Sequence, residues 1–240
     1  MSNRKLMHLR IEGDSSYEKN CNFKSIRMLS HSVVELFMYY SGKVLIDGNN
    51  NFVIYYKEND SSKNAYENEP YFNVSTFFVD SNELQKAKEL QAKKNRDIFE
   101  LDMMFLKSIE NIMIKTCLLS GNEAAIPQIE EASRKVIESN FELKYKINKF
   151  SKKSEDSLYK ASAYRHITPD GENYYLEVLN MQSKEIDIYQ LNKQPEYVKM
   201  ELMYTKAFWD NHDFHLYSDD YHKDIVVINV DDHTIIINKT

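Results

Sequence analysis

Near residue 150 the hydrophobic rhythm of this chain changes, from helical spacing across residues 80–142 to two-residue alternation that runs nearly to the C-terminus. Apolar side chains recurring every three or four positions bury a stripe as a helix, whereas alternating ones bury a face as a strand. The expected class is therefore α+β. An N-terminal strand, helix and hairpin region with a central helical segment is followed by a mostly antiparallel β half, arranged as a meander, curled sheet or barrel. Two domains are expected, an α+β domain over 1–143 and a β domain or subdomain over 159–240, joined by a polar linker at 144–158.

In the first half, Met7, Leu9 and Ile11 alternate with polar residues and predict a strand with one buried face. Ile26, Leu29, Val33, Leu36, Phe37 and Tyr40 predict a helix that Gly42 stops. The runs at 43–46 and 52–56 flank Asp47-Gly48-Asn49-Asn50-Asn51, which predicts a hairpin. Residues 58–69 hold too little apolar surface to offset the entropy of ordering and read as a mobile loop, followed by a strand carrying Phe72, Val74, Thr76 and Phe78. The longest helical pattern has two apolar stripes. Ile98, Leu101, Phe105, Ile109 and Ile112 form one, and Met103, Leu106, Met113 and Cys117 the other, as in a central packed helix or an association face. Gly121 ends it, and Pro127 opens a further helix with Ile129, Ala132, Val136 and Ile137 inside and Glu130 paired to Arg134 outside. Beyond residue 158, strands are expected at 159–166, 173–179, 184–190, 197–206, 213–217, 224–230 and 234–238. Thr168-Pro169-Asp170-Gly171 and Asp231-Asp232-His233 mark turns.

Composition narrows the functional classes. Only 5 Gly occur in 240 residues, which removes the usual material of phosphate-cradling loops. A net charge of -6 works against a generic nucleic-acid or anionic-membrane surface. The two cysteines, Cys21 and Cys117, sit in a polar turn and in an apolar helix, so a reducing compartment is expected rather than a disulfide framework. With no signal-like segment and no apolar run of spanning length, the expected location is the cytoplasm. Heavy use of Asn, Lys, Ile and Tyr points to an AT-rich genome, such as that of a low-GC bacterium, its phages or a large DNA virus, and a small, acidic chain with this bias would fit a factor of bacterial and phage conflict.

Several clusters carry chemistry-bearing residues. His212, His215, His222, Asp213 and Asp219 are candidate metal ligands because imidazole and carboxylate suit hard and borderline ions, although no recognised ligand spacing is present. Tyr164-Arg165-His166, with Ser162 nearby and Asp170 or Glu172 beyond, could supply a base and its orienting carboxylate. Lys144, Lys146, Lys149, Lys152 and Lys153, interleaved with Tyr145 and Phe150, could follow a phosphate backbone, with Glu142, Glu155 and Asp156 diluting the field. Cys117 and the methionines Met103, Met104 and Met113 read as core.

No coherent catalytic constellation emerges and no cofactor is expected. The leading expectation is a non-enzymatic protein that binds another macromolecule, a protein above all, through its helical middle or the outer face of its β half. An inhibitor or immunity-like factor would fit. The alternatives are a metal-dependent hydrolase or nuclease using residues 210–222, and a nucleic-acid binder using the lysines of 144–160.

Overall fold

Strand β4 (Asn51–Tyr56) organises the N-terminal part of the chain. Phe52, Val53, Ile54 and Tyr56 are all buried, so the strand needs apolar cover on both faces. In the structure, a computed structural model, it lies between β2 (His8–Gly13) and β6 (Val74–Val79), parallel to both. The short β5 (Glu67–Glu69) adds antiparallel on the far side of β6. The described residues are 4–6, 8–13, 25–42, 44–46, 51–56, 67–69, 74–79, 85–87, 89–90, 98–197, 199–218 and 223–238.

The expected hairpin at 43–56 does not form. β3 (Leu45–Ile46) pairs antiparallel with β1 (Arg4–Lys5), not with β4. The Asp-Gly-Asn signal lost because a two-residue neighbour cannot cover a strand that is apolar on both faces. A parallel pairing needs a crossover instead. Helices α1 (Ile26–Leu29) and α2 (His31–Ser41) lie in the connection from β2 to β4, and the Ser25 hydroxyl accepts the Met28 amide at 3.2 Å at the start of α1. Gly42, at φ 58°, ends α2 as expected. The expected loop at 58–69 is also corrected, since its last three residues are β5; residues 58–66 lie outside the described set.

Helix α3 (Ile98–Ser120) buries Leu101, Phe105, Leu106, Ile109, Met113 and Cys117, and α4 (Ile126–Glu138) buries Ile129, Ala132 and Val136. On the outer side of α4, Arg134 pairs with Glu131 and Glu138 rather than with Glu130. Cys117 is fully buried, and burial pushes its thiol pKa up, away from the reactive thiolate.

The chain divides into two compact units, Met1–Glu142 and Leu143–Thr240. The second begins with a strand where a linker was expected. β7 (Leu143–Lys153) pairs antiparallel with β8 (Tyr159–Thr168), so 144–158 is a strand and its turn. The polar composition misled because the inward positions of β7, Ile147 and Phe150, are few and a bulge separates its two paired stretches. At the bulge, Ser151 donates to the Ile147 carbonyl and accepts the Ala163 amide at 3.1 Å, standing in for the lost ladder bond.

The sheet continues through β9 (Gly171–Asn180) and β10 (Ile186–Gln190) in the order β10-β9-β8-β7. A second antiparallel sheet runs β11 (Lys206–Asp210), β12 (Asp213–Ser218), β13 (Lys223–Asn229) and β14 (Thr234–Ile237). Both sheets are meanders, and their inner faces share one core that includes Phe150, Tyr174, Leu176, Phe214, Leu216 and Ile228. The expected strand at 197–206 is instead a single helical turn, α5 (Met200–Met203), leading into β11. Met200 and Tyr204 are buried while Leu202 is 68% exposed, so helical spacing won over the apparent alternation. The class is α+β, with antiparallel sheets in the C-terminal half.

Candidate functional site

The histidine and aspartate cluster read from the sequence does not converge. His215 lies on the outer face of β12 and stacks on Phe208, with ring centroids 4.8 Å apart. Asp213 accepts the Asn229 amide at 2.7 Å. His212, in the turn between β11 and β12, directs Nδ1 at Asp231 (2.8 and 2.9 Å) and Nε2 at Asp156 (3.4 Å). Asp219 and His222 lie outside the described residues. Among the described residues no group of three or more His, Cys, Asp or Glu side chains is placed to hold a metal ion.

What does gather around His212 was not legible in the sequence. The β7–β8 turn brings Asp156, the β13–β14 turn brings Asp231, and Tyr159 places its ring 5.4 Å from the imidazole while stacking at 6.0 Å on Trp209. Close by, His233 Nδ1 lies 3.3 Å from Asp187 and 3.4 Å from the Tyr189 hydroxyl. Both nitrogens of His212 face carboxylates, and only the imidazolium can donate in both directions. The bonds to Asp231 hold its pKa above the ordinary histidine range, while the Ser154 hydroxyl and the Leu158 amide hold Asp156 below the ordinary carboxylate range.

The raised pKa of His212 makes this clip pH-dependent. Its contribution to stability is complete below the unfolded-state histidine value and is lost as pH rises through the folded one. Asp156 acts in the opposite sense, its contribution being lost only as acid takes the pH through its depressed value. The wild-type melting midpoint should therefore fall on the alkaline side of about pH 6.5, relative to that of a His212→Gln variant. Parallel profiles for the two proteins would refute the clip.

The second sequence candidate is structural. Arg165 and Glu172 are only 3% and 0% exposed, and they pair inside the β unit. Arg165 Nε donates to Glu172 Oε2 at 2.5 Å, a second guanidinium nitrogen donates to Oε1, and a third donates to the Tyr145 hydroxyl at 2.7 Å. His166 points the other way, tilted against Tyr175, so the imagined pair of His166 with Glu172 does not exist. Segment 191–197 completes the environment. Asn192 bonds the backbone of Glu172 and Tyr174, and Glu196 exchanges two backbone bonds with Glu172. Burial raises the nearby Tyr174 and Tyr204 phenols, the latter to about 12, so neither ionises in ordinary solution.

The lysines of the third candidate separate by strand parity. Lys144, Lys146 and Lys153 alternate outward, in register with His166, Tyr164 and Lys160 respectively. Lys149 lies in the bulge over the Phe150 ring, and the Lys152 carbonyl accepts the Trp209 indole at 3.3 Å. On the outer face, Lys144 pairs with Glu177 at 3.0 Å and lies over the rings of Tyr164 and Tyr175, while Lys146 donates to Ser162 at 2.9 Å. Across β9 and β10 the same face gains aliphatic side chains. Leu179 stands opposite Ile186, and Glu177 opposite Ile188. Ile186 and Ile188 are 57% and 64% exposed on a strand whose other edge carries no named strand.

Neither a family model, nor a curated protein, nor a solved structure matches this chain. No helix of the described residues is long and apolar enough to cross a membrane.

Proposed function

We propose that this chain is a non-enzymatic binding protein that engages another protein through the outer face of the β7–β10 sheet. The observation that carries the reading is the exposure of Ile186 and Ile188 on β10, Ile186 in register with Leu179 and Ile188 with Glu177, beside the Tyr164–Tyr175 cross-strand pair. An exposed aliphatic pair beside two tyrosines is the composition of a contact core rather than of a solvated sheet face. Two of the described groups read as catalytic or metal-binding are engaged in structural contacts. Arg165 and Glu172 neutralise each other in the interior, and His212 links two turns.

A photo-crosslinking amino acid placed at position 188, with the chain expressed in its native host, tests the reading against the same probe at position 217 on the outer face of β12. One protein adduct formed at 188 and not at 217 is the expected result. Adducts at both positions alike, or at neither, would discard it.

A further inference from the structure

We infer that the partner presents an acidic amphipathic helix to this face, an inference that rests on the protein-binding reading. The strand register arranges the outer side chains in rows. Lys153, Lys160, Leu179 and Ile186 form one row, Ser162, Glu177 and Ile188 the next, and Lys146, Tyr164, Tyr175 and Gln190 a third. The face is thus divided lengthwise. Its β10 side is aliphatic, its middle holds the two tyrosines, and its β7 side is basic, with Lys144, Lys146, Lys153 and Lys160 against the single carboxylate Glu177 among the paired outer positions of these four strands. That local balance opposes the net charge of -6 carried by the whole chain.

Dimensions decide between an added strand and a helix. Strands lie about 4.8 Å apart, so a strand added beyond β10 would stand roughly 15 to 20 Å from β8 and β7, out of reach of their lysines. A helix, about 10 Å across, laid along the sheet covers two to three strands at once. Its apolar stripe would rest on Ile188, Ile186, Leu179 and Tyr175, while carboxylates on one flank meet Lys146, Lys153 and Lys160. A nucleic acid would use the lysines and tyrosines and leave the isoleucines idle. The aliphatic edge therefore favours a protein.

The probes are three synthetic ligands offered to the full chain. One is a peptide of about eighteen residues with leucines on one helical face and glutamates elsewhere; the second has lysines for the glutamates; the third is an oligodeoxythymidine of about ten nucleotides. The acidic peptide should bind at least about tenfold more tightly than either of the others, with amide shifts confined to β7, β8, β9 and β10. Ile188→Ser should weaken it by about tenfold, and Lys146→Glu with Lys160→Glu should do the same while leaving the fold intact by circular dichroism. Equal binding of the two peptides, tighter binding of the oligonucleotide, or retention of affinity in both variants would overturn the inference. If the peptides fail while the crosslink at 188 captures a protein, the charge and helix assignment falls alone. If the crosslink fails as well, the protein-binding reading falls with it.

Discussion

Replacing Glu172 with alanine is expected to destabilise the β unit by about 3–5 kcal/mol, because it strands the guanidinium of Arg165 in the interior without its counter-charge. The pair is inaccessible to water and bidentate, and Tyr145 takes a further guanidinium N–H without bringing a formal charge. Glu172→Gln should cost nearly as much, since shape is kept but the charge is not. The double variant Arg165→Met, Glu172→Leu should recover most of the loss, because removing both charges also removes both desolvation costs. Trp209, the single tryptophan, lies in the same unit, so its fluorescence during urea unfolding reports the effect directly. A cost below about 1 kcal/mol for Glu172→Ala would mean that solvent reaches the site and that the pair behaves as a surface one.

Gly171→Val should cost about 2–4 kcal/mol for two reasons that act together. Gly171 has φ 125°, a region closed to residues with a Cβ, and a Cβ there would stand 2.7 Å from the Glu196 carbonyl oxygen. That oxygen cannot withdraw cheaply, since it accepts the Glu172 amide at 2.8 Å in the bridge that holds segment 191–197. Gly121 provides the contrast. It too has positive φ, 71°, but no atom lies within 4 Å of a built Cβ, so Gly121→Ala should cost only the backbone strain, about 1 kcal/mol. Urea midpoints of the two variants compare them, and equal losses would show that the close approach at Gly171 is unimportant.

Much of the β unit was legible because alternation gives parity. Tyr159–Thr168 and Gly171–Asn180 lie close to the expected ranges, and the Thr-Pro-Asp-Gly turn joins them. The buried ion pair left a trace as well. Arg165 stands at an inward position between Ala163 and Ile167, and Glu172 at one before Tyr174 and Leu176, on either side of that turn. Two opposite charges at inward positions of a hairpin can satisfy each other only by pairing, and that signal was available. Nothing local announces the His212 clip, because Asp156, His212 and Asp231 come from three turns whose meeting depends on how two sheets pack.

The N-terminal unit shows the opposite balance. Its helices follow from 3.6-residue spacing and their glycine stops, which are local properties of the chain. The direction in which β4 pairs is not local: Asp-Gly-Asn favours a tight reversal, and burial on both faces demands a central parallel position. Sequence by itself determined the class, the positions of most elements and the inward or outward parity of the C-terminal strands, since periodicity needs only a few neighbouring residues. Tertiary structure alone decided which strands adjoin, that the lysines of β7 share a face with the isoleucines of β10, and that His212 meets two carboxylates. Those outcomes turn on contacts between residues far apart in the chain, whose free energies exist only once the sheets have closed on a common core.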